Sequence, residues 1–313
     1  MRSAEATVPT VWPDPRRPQA DNLRILDGME WSHRTPHLRA FSFGFSVRAS
    51  EPSTGRYIEA LFGAMAASDE AAHVYSFLEF DGRHEVYRDG EQVSSTEAAS
   101  TALGHLLWDV NRNAITSARQ DLLFHASAAE YEGRAVLMPA PMGSGKTTLV
   151  AGLVLGGLRY ITDEAVAVDP TTLLVHPYPK PLALRRGSWE ALPSLRPDLA
   201  PELRPFARST WYVSPGMIRA DAIASSPCAP GFVIAHRYEI GARTELTPMS
   251  RAEGLIALAE NSFNITDFGT RRSMDLLAAI VRRCRCYRLT TGDLDAASRV
   301  VLDLVTSSEG FDG

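Results

Sequence analysis

The sequence predicts an α/β fold with a smaller α+β module ahead of it, and three observations predict it. The run Ala140-Pro141-Met142-Gly143-Ser144-Gly145-Lys146-Thr147-Thr148 is a Gly-rich turn closing on Lys-Thr. An apolar run, Arg134 to Met138, precedes it, and a longer one, Thr148 to Leu155, follows it before Gly156-Gly157. That is strand, loop and helix in the order a phosphate-cradling turn requires, with glycines to stop the helix. A further apolar segment, Tyr160 to Val168, reads as a strand and carries two adjacent acids, Asp163 and Glu164.

Taken in order, residues 1–39 hold Pro9, Pro13, Pro15, Pro18 and Pro36 and read as an extended arm, with a short strand around Leu23 to Leu26. Residues 40–118 read as the α+β module. Phe41, Phe43 and Phe45 alternate as in a strand, and Tyr57 to Ala66 reads as helix. Val74 to Phe80 and His84 to Tyr87 make a hairpin across Asp81-Gly82, with a second turn at Asp89-Gly90. Leu103, Leu106, Leu107 and Val110 mark a helix that Ser95-Thr96 would cap.

Residues 119–313 form the second domain. Leu122 to Ala128 and Ala135 to Met138 flank Glu132-Gly133 as a hairpin that leads into the loop. Thr172 to Val175, Leu182 to Leu184 and Phe232 to His236 read as strands, with Pro-rich loops and short helices over 187–227. Two terminal helices run through Met274 to Val281 and Ala297 to Leu304.

Bulk properties narrow the class. The 313 residues are 45% hydrophobic and 22% charged, as in a globular protein. A net charge of −5 and a pI near 5.9 give no support to a nucleic-acid binder. Three cysteines do not make a disulfide framework, and Cys284 and Cys286 read as reduced thiols rather than zinc ligands. Met1 to Glu5 lacks the apolar core of a signal peptide, and no run approaches the ~18 apolar residues of a membrane span, so a cytoplasmic location is expected.

The loop's chemistry follows from its residue types. Backbone N–H groups over Pro141, Met142, Gly143, Ser144, Gly145, Lys146, Thr147 and Thr148 would cradle a polyphosphate, aided by the positive end of the following helix. Lys146 would reach the β/γ-phosphates and the Thr147 hydroxyl would ligate Mg²⁺. One departure is Ala140, where such loops open with Gly. A Gly/Ser-rich turn that binds nothing is the alternative. Asp163 and Glu164 come one helix and one turn after Lys146, and a strand running back beside the loop strand would bring them to the phosphates. His125 lies on the strand paired with the loop strand, where a hairpin could hold it near the γ-phosphate; a packed or surface histidine is the alternative. Lys180, Arg185 and Arg186 read either as contacts to transferred phosphate or substrate, or as a solvated strand end. Arg271, Arg272, Arg282, Arg283, Arg285 and Arg288 read as a helix surface, with docking of an acidic peptide as the alternative.

Phe124-His125-Ala126-Ser127-Ala128, Met142 to Thr148 and Ile161-Thr162-Asp163-Glu164 together resemble the C-terminal catalytic domain of HPr kinase/phosphorylase. The resemblance covers residues 122 to 185 and extends loosely beyond. It implies a P-loop, HPr kinase-like fold related to the nucleotide domain of phosphoenolpyruvate carboxykinase, and phosphorylation of a protein serine from ATP with Mg²⁺. It also implies that Asp163 acts as general base, that His125 and Glu164 act near the metal, and that the chain can assemble as a homo-oligomer. Glu164 stands where that family commonly has a second Asp, and Pro179 to Ser188 replaces its Gly-containing signature. In this the chain is more similar to the HPr-kinase-related proteins of peptide natural-product clusters, such as the lasso-peptide tailoring kinases, which phosphorylate a precursor peptide.

The expected partner is therefore a peptide or protein with an acceptor hydroxyl, with no nucleic acid and no membrane. Two other readings stay open: a non-catalytic nucleotide-binding regulatory module, which Ala140 and Glu164 favour, and a kinase of a small metabolite.

Overall fold

The computed structural model describes residues 12–307, so the readings of Met1 to Glu5 and of the start of the arm, Pro9 included, lie outside the described residues. The chain is mixed α/β, with parallel and antiparallel strand pairs. It forms two compact units. One ends at Ala114 and also takes in Asp198–Thr210; the other comprises Ile115–Pro197 and the chain from Trp211 onward.

The first unit opens on helix α1 (Gln19–Asp27), where the sequence points to an extended segment with a short strand. Pro18 at its head has φ of −53°, and Asn22 and Leu26, one turn apart, are the buried residues. Asn22 hid the inward stripe because it is polar; its amide satisfies itself on the N–H and C=O of Asp14. Strands β1 (His33–Arg34), β2 (Leu38–Ala40) and β3 (Phe43–Ala49) follow, then α2 (Pro52–Phe62), β4 (Ala66–Ala67), β5 (His73–Phe80), β6 (Arg83–Arg88), β7 (Glu91–Thr96) and α3 (Ala99–Ser117).

The sheet order is β4-β2-β3-β5-β6-β7, with β1 beside β3. Among the described strands of this sheet β3 and β5 are the parallel pair, and α2 lies between them in the chain. The turns at Asp81-Gly82 and Asp89-Gly90 have positive φ at both positions, as two-residue hairpins require. Phe45, Phe62, Tyr75 and Phe77 fill the core, Phe45 meeting Phe62 edge-on at 5.2 Å. Ser95 and Thr96 belong to β7 and do not cap α3; Ser95 Oγ donates to Glu85 Oε1 across the sheet, while Thr96 Oγ1 accepts from the Ala98 N–H.

The second unit contains β8 (Leu122–Tyr131), β9 (Arg134–Pro139), α4 (Lys146–Leu155), β10 (Arg159–Val168), β11 (Val175–His176), β12 (Leu182–Arg185), α5 (Arg186–Trp189), β13 (Thr210–Val213), α6 (Pro215–Ile218), β14 (Ala229–Tyr238), β15 (Glu245–Pro248), α7 (Arg251–Glu260), α8 (Thr270–Arg282), β16 (Arg285–Thr291) and α9 (Leu294–Thr306). Its main sheet runs β11-β10-β8-β9-β14-β16-β15. The central trio β9, β14 and β16 is parallel, and the flanking pairs are antiparallel.

One face buries Phe124, Ala126, Leu137 and Val233 against Leu258 of α7 and Leu277 and Ile280 of α8. On the other lie α4 and α9, which approach closely because α4 presents glycine: a Cβ on Gly152 would stand 2.6 Å from Ser298 Oγ and 2.9 Å from Leu294 Cδ1. The strand read over Thr172 to Val175 shrinks to Val175–His176, because the Asp169 carboxylate accepts the N–H groups of Thr171 and Thr172 and holds a turn there. Cys228, Cys284 and Cys286 are buried free thiols. Among the described residues no helix is long and apolar enough to cross a membrane.

The close approach of α4 to α9 yields a stability prediction. Gly152→Val should lower the unfolding free energy by about 2 kcal/mol in urea titration, overpacking outweighing the helix propensity gained on leaving glycine. A variant as stable as the parent would mean that α9 yields freely.

Candidate functional site

The site is assembled where β9 ends. Past Pro139 the chain turns through Gly143 and Gly145, both left-handed at φ 81° and 88°, and enters α4. Only glycine adopts that conformation without cost. Gly145 is doubly required, since a Cβ there would meet His236 Cε1 and Tyr238 Cβ at 3.3 Å. Ala140 keeps a negative φ and is buried, so this position has no need of the glycine seen in similar loops. No side chain caps α4, which leaves its first N–H groups for another partner.

Lys146 opens the helix and folds back over the loop. Its ammonium donates to the carbonyls of Ala140 at 2.6 Å and Pro141 at 2.8 Å. Burial pushes its pKa below the ordinary lysine value, opposed by the negative charges of Asp163 and Glu164.

The acids arrive by a route that differs from the expected one. β10 does not lie beside the loop strand β9; β8 stands between them, antiparallel to both. The other edge of β9 is taken by β14, so β10 has no edge of β9 to pair with. The β10–β8 register puts Asp163 opposite Ser127 and Ala165 opposite His125, after an irregularity between Tyr160 and Thr162. Side chains alternate along strands, so Asp163 and His125 project from one face. That is the face carrying α4, because Phe124, Ala126 and Ala128 turn to the other. Asp163 is buried, whereas Glu164 is part-exposed and has φ of 155°, a value seldom held outside glycine. Its Oε1 lies 3.7 Å from His125 Nε2, an ion-pair separation rather than a hydrogen bond.

His125 sits just beyond the point where β9 leaves β8. There residues 261–264 take over the edge. The His125 N–H donates to the Asn261 carbonyl at 2.6 Å, and Asn264 accepts from the Leu123 N–H and donates to the Asp121 carbonyl. Phe263 lies against the imidazole at 5.7 Å between ring centres. Burial and the Lys146 charge push the His125 pKa down, against the pull of Glu164 and Asp163. The structure thus brings Lys146, Asp163, Glu164 and His125 together.

The remaining expected residues have other engagements. Thr148 Oγ1 shares a 2.6 Å hydrogen bond with Ser188 Oγ, which ties α4 to α5. Thr147 is part-buried, and Pro141 and Met142 are exposed. Lys180 Nζ donates to the Pro181 carbonyl, Arg186 covers the Trp189 ring at 5.8 Å, and Arg185 is exposed.

Sequence reading missed His236. It lies at the end of β14, whose parallel register pairs Val233 with Leu137 and so carries His236 level with the start of the loop. It is 6% exposed, its Nδ1 is buried without a hydrogen-bond partner, and burial together with the Lys146 charge holds its pKa down to about 4. A strand closing on His was visible in the sequence; its pairing with the loop strand was not. Tyr160 and Tyr178 are also buried near the acids, and burial drives both phenols well above their ordinary pKa.

Among the described residues no group of three or more His, Cys, Asp and Glu could hold a metal unaided. The donors present, the Thr147 hydroxyl and the two carboxylates, suit a hard cation such as Mg²⁺, which takes one or two carboxylates and completes its shell from phosphate and water.

No family model matches the chain, and no curated protein matches it. Among solved structures it is similar to "Structure of the Hpr(Ser) kinase/phosphatase from Coxiella burnetii", at 10% sequence identity and a TM-score of 0.27, over 58% of this chain and 93% of that one.

The neutral state of His236 sets the sign of a pH effect. Its folded pKa near 4 lies below the ordinary 6.5, so between those values the unfolded chain binds the extra proton and acid destabilises the fold. Urea unfolding of the wild type and His236→Asn should show the wild type losing about 2–3 kcal/mol relative to the variant from pH 7 to pH 4. A difference that stays constant with pH would contradict a buried neutral imidazole.

Proposed function

We propose that the chain is an ATP-dependent phosphotransferase that moves the γ-phosphoryl group to a hydroxyl, a serine of a peptide or protein being the acceptor class. The observation that carries this reading is the convergence of Lys146, Asp163, Glu164 and His125 at the head of α4, beside a loop whose glycines take left-handed conformations. A cation, two carboxylates and an uncapped helix N-terminus form a site for a polyphosphate with a metal. The acceptor class rests on the motif resemblance described above.

Lys146 exchanges its loop carbonyls for β- and γ-phosphate oxygens and neutralises their charge. Asp163, fixed by its register against Ser127, orients the acceptor hydroxyl and takes its proton. As the acceptor oxygen bonds to the γ-phosphorus, the bond from that phosphorus to the β–γ bridging oxygen breaks and ADP departs. Glu164 and Thr147 would hold Mg²⁺, which supplies charge neutralisation between the phosphates. His125, held toward its neutral form, lines the γ-phosphate end without adding a second fixed cation beside Lys146.

The test is transfer from labelled ATP to a library of serine-containing peptides, read by mass spectrometry, with nucleotide affinity measured in parallel. Asp163→Asn should cut transfer by about 10²- to 10⁴-fold and leave ATP affinity within a few-fold. Lys146→Ala should weaken ATP binding itself. Full transfer by Asp163→Asn would sink the reading of Asp163 as base. A wild type that binds ATP but phosphorylates no hydroxyl would turn the reading toward a regulatory nucleotide module.

A further inference from the structure

We propose that His236 is a phosphate contact of the donor site, its imidazole supplying a hydrogen bond to the polyphosphate held by the loop at 140–148. This deepens the reading of that loop as a polyphosphate site and rests on it.

The geometry comes from two strands that are remote in sequence. β14 pairs in parallel with β9 and brings His236 level with the point where the loop begins. The ring then lies against Gly145, so closely that a Cβ on that glycine would stand 3.3 Å from Cε1. His236 is nine-tenths buried, and its Nδ1 finds no partner. The loop contains a second atom in the same condition, Ser144 Oγ, next in sequence to Gly145. A buried polar atom left unbonded is costly, and native structures rarely tolerate one without a water, ion or ligand to meet it.

Two such atoms flank one glycine of a loop that also ends on a buried ammonium and an uncapped helix. A hydroxyl and an imidazole N–H can both donate, so one occupant rich in acceptor oxygens satisfies both. A polyphosphate is that occupant. The chemistry also explains why histidine suits the position better than a second lysine or arginine. Burial, together with the Lys146 cation beside the site, holds the neighbouring imidazole toward its neutral form, which donates without adding charge repulsion. Lys146 is the charged group that acts on His236, and Asp163, Glu164 and His125 in turn lie around Lys146; Tyr238 adjoins Gly145 on the same strand as His236.

The test is isothermal titration of the wild type, His236→Asn, His236→Leu and Lys146→Ala with ATP, inorganic tripolyphosphate and AMP. Asn places a donor close to the position of Nδ1; Leu fills the space without one. His236→Leu should bind ATP and tripolyphosphate about 10-fold or more weakly, with AMP affinity unchanged, and His236→Asn should recover most of the loss. Equal ATP binding by wild type and His236→Leu overturns the proposal. So does a loss in His236→Asn as deep as in His236→Leu, which would make the ring a packing element only.

Because either variant can fail to fold, the wild-type imidazole ¹⁵N resonances are followed as ATP is added. A Nδ1 signal that keeps its unbonded position at saturation also overturns the contact. Failure of the underlying reading looks different: the wild type itself binds neither ATP nor tripolyphosphate, and Lys146→Ala changes nothing. That result removes both.

Discussion

A buried ammonium at the positive end of a helix is the constraint on which the site depends. Lys146 is 7% exposed and is the first residue of α4. Burial disfavours its charge, and the helix dipole disfavours a cation at that end. Two carbonyls of its own loop and the carboxylates of Asp163 and Glu164 compensate. The loop is thus folded around its lysine, and the acids on β10 have a reason to be near it even with nothing bound. A polyanion at this loop would replace neutral carbonyl partners with charged ones, which is a stronger bond for the same lysine.

The same charge orders its neighbours. It adds to burial in holding His125 on β8 and His236 on β14 toward their neutral forms. A site with one fixed cation and two carboxylates is poor ground for a polyphosphate alone, since the acids repel it. It becomes good ground when a divalent cation stands between the acids and the phosphates, each neutralising the other.

What the sequence made legible was local. Gly143, Gly145 and Lys146 announce their turn because left-handed backbone and a helix start need those residue types in that order. Asp81-Gly82, Asp89-Gly90 and Glu132-Gly133 announce hairpins for the same reason, each with positive φ at both positions. What stayed hidden was set by pairing between distant segments. His236 gains its meaning from the parallel pairing of β14 with β9, and Phe263 from residues 261–264 replacing β9 beside β8. The route of the acids was misread because β8, the first arm of the hairpin, separates β10 from the loop strand. Helix α1 escaped notice because its inward face is half polar, with Asn22 bonded to Asp14. Neither α7 nor β16 showed the period by which the other elements were recognised; α7 fully buries only Gly254 and Leu258, with Leu255 and Ala259 half-buried against the same core.

The irregularity between Tyr160 and Thr162 decides what Asp163 can do. Ile161 and Val166 both pack in the core on the α8 side, five residues apart, which a strand of unbroken alternation cannot achieve. The extra residue shifts the alternation by one step, so that Thr162 meets Ala128 and Asp163 meets Ser127. Without it Asp163 would point into the apolar face beneath α7 and α8, where an ionised carboxylate has no partner, and the lysine would lose its buried counter-charge. The unusual φ of Glu164 follows directly after, turning that side chain out of the apolar face and toward His125. The inserted residue therefore delivers Asp163 to the loop face, the backbone of Glu164 turns the second carboxylate back toward His125, and the remaining ladder with β8 keeps both in register.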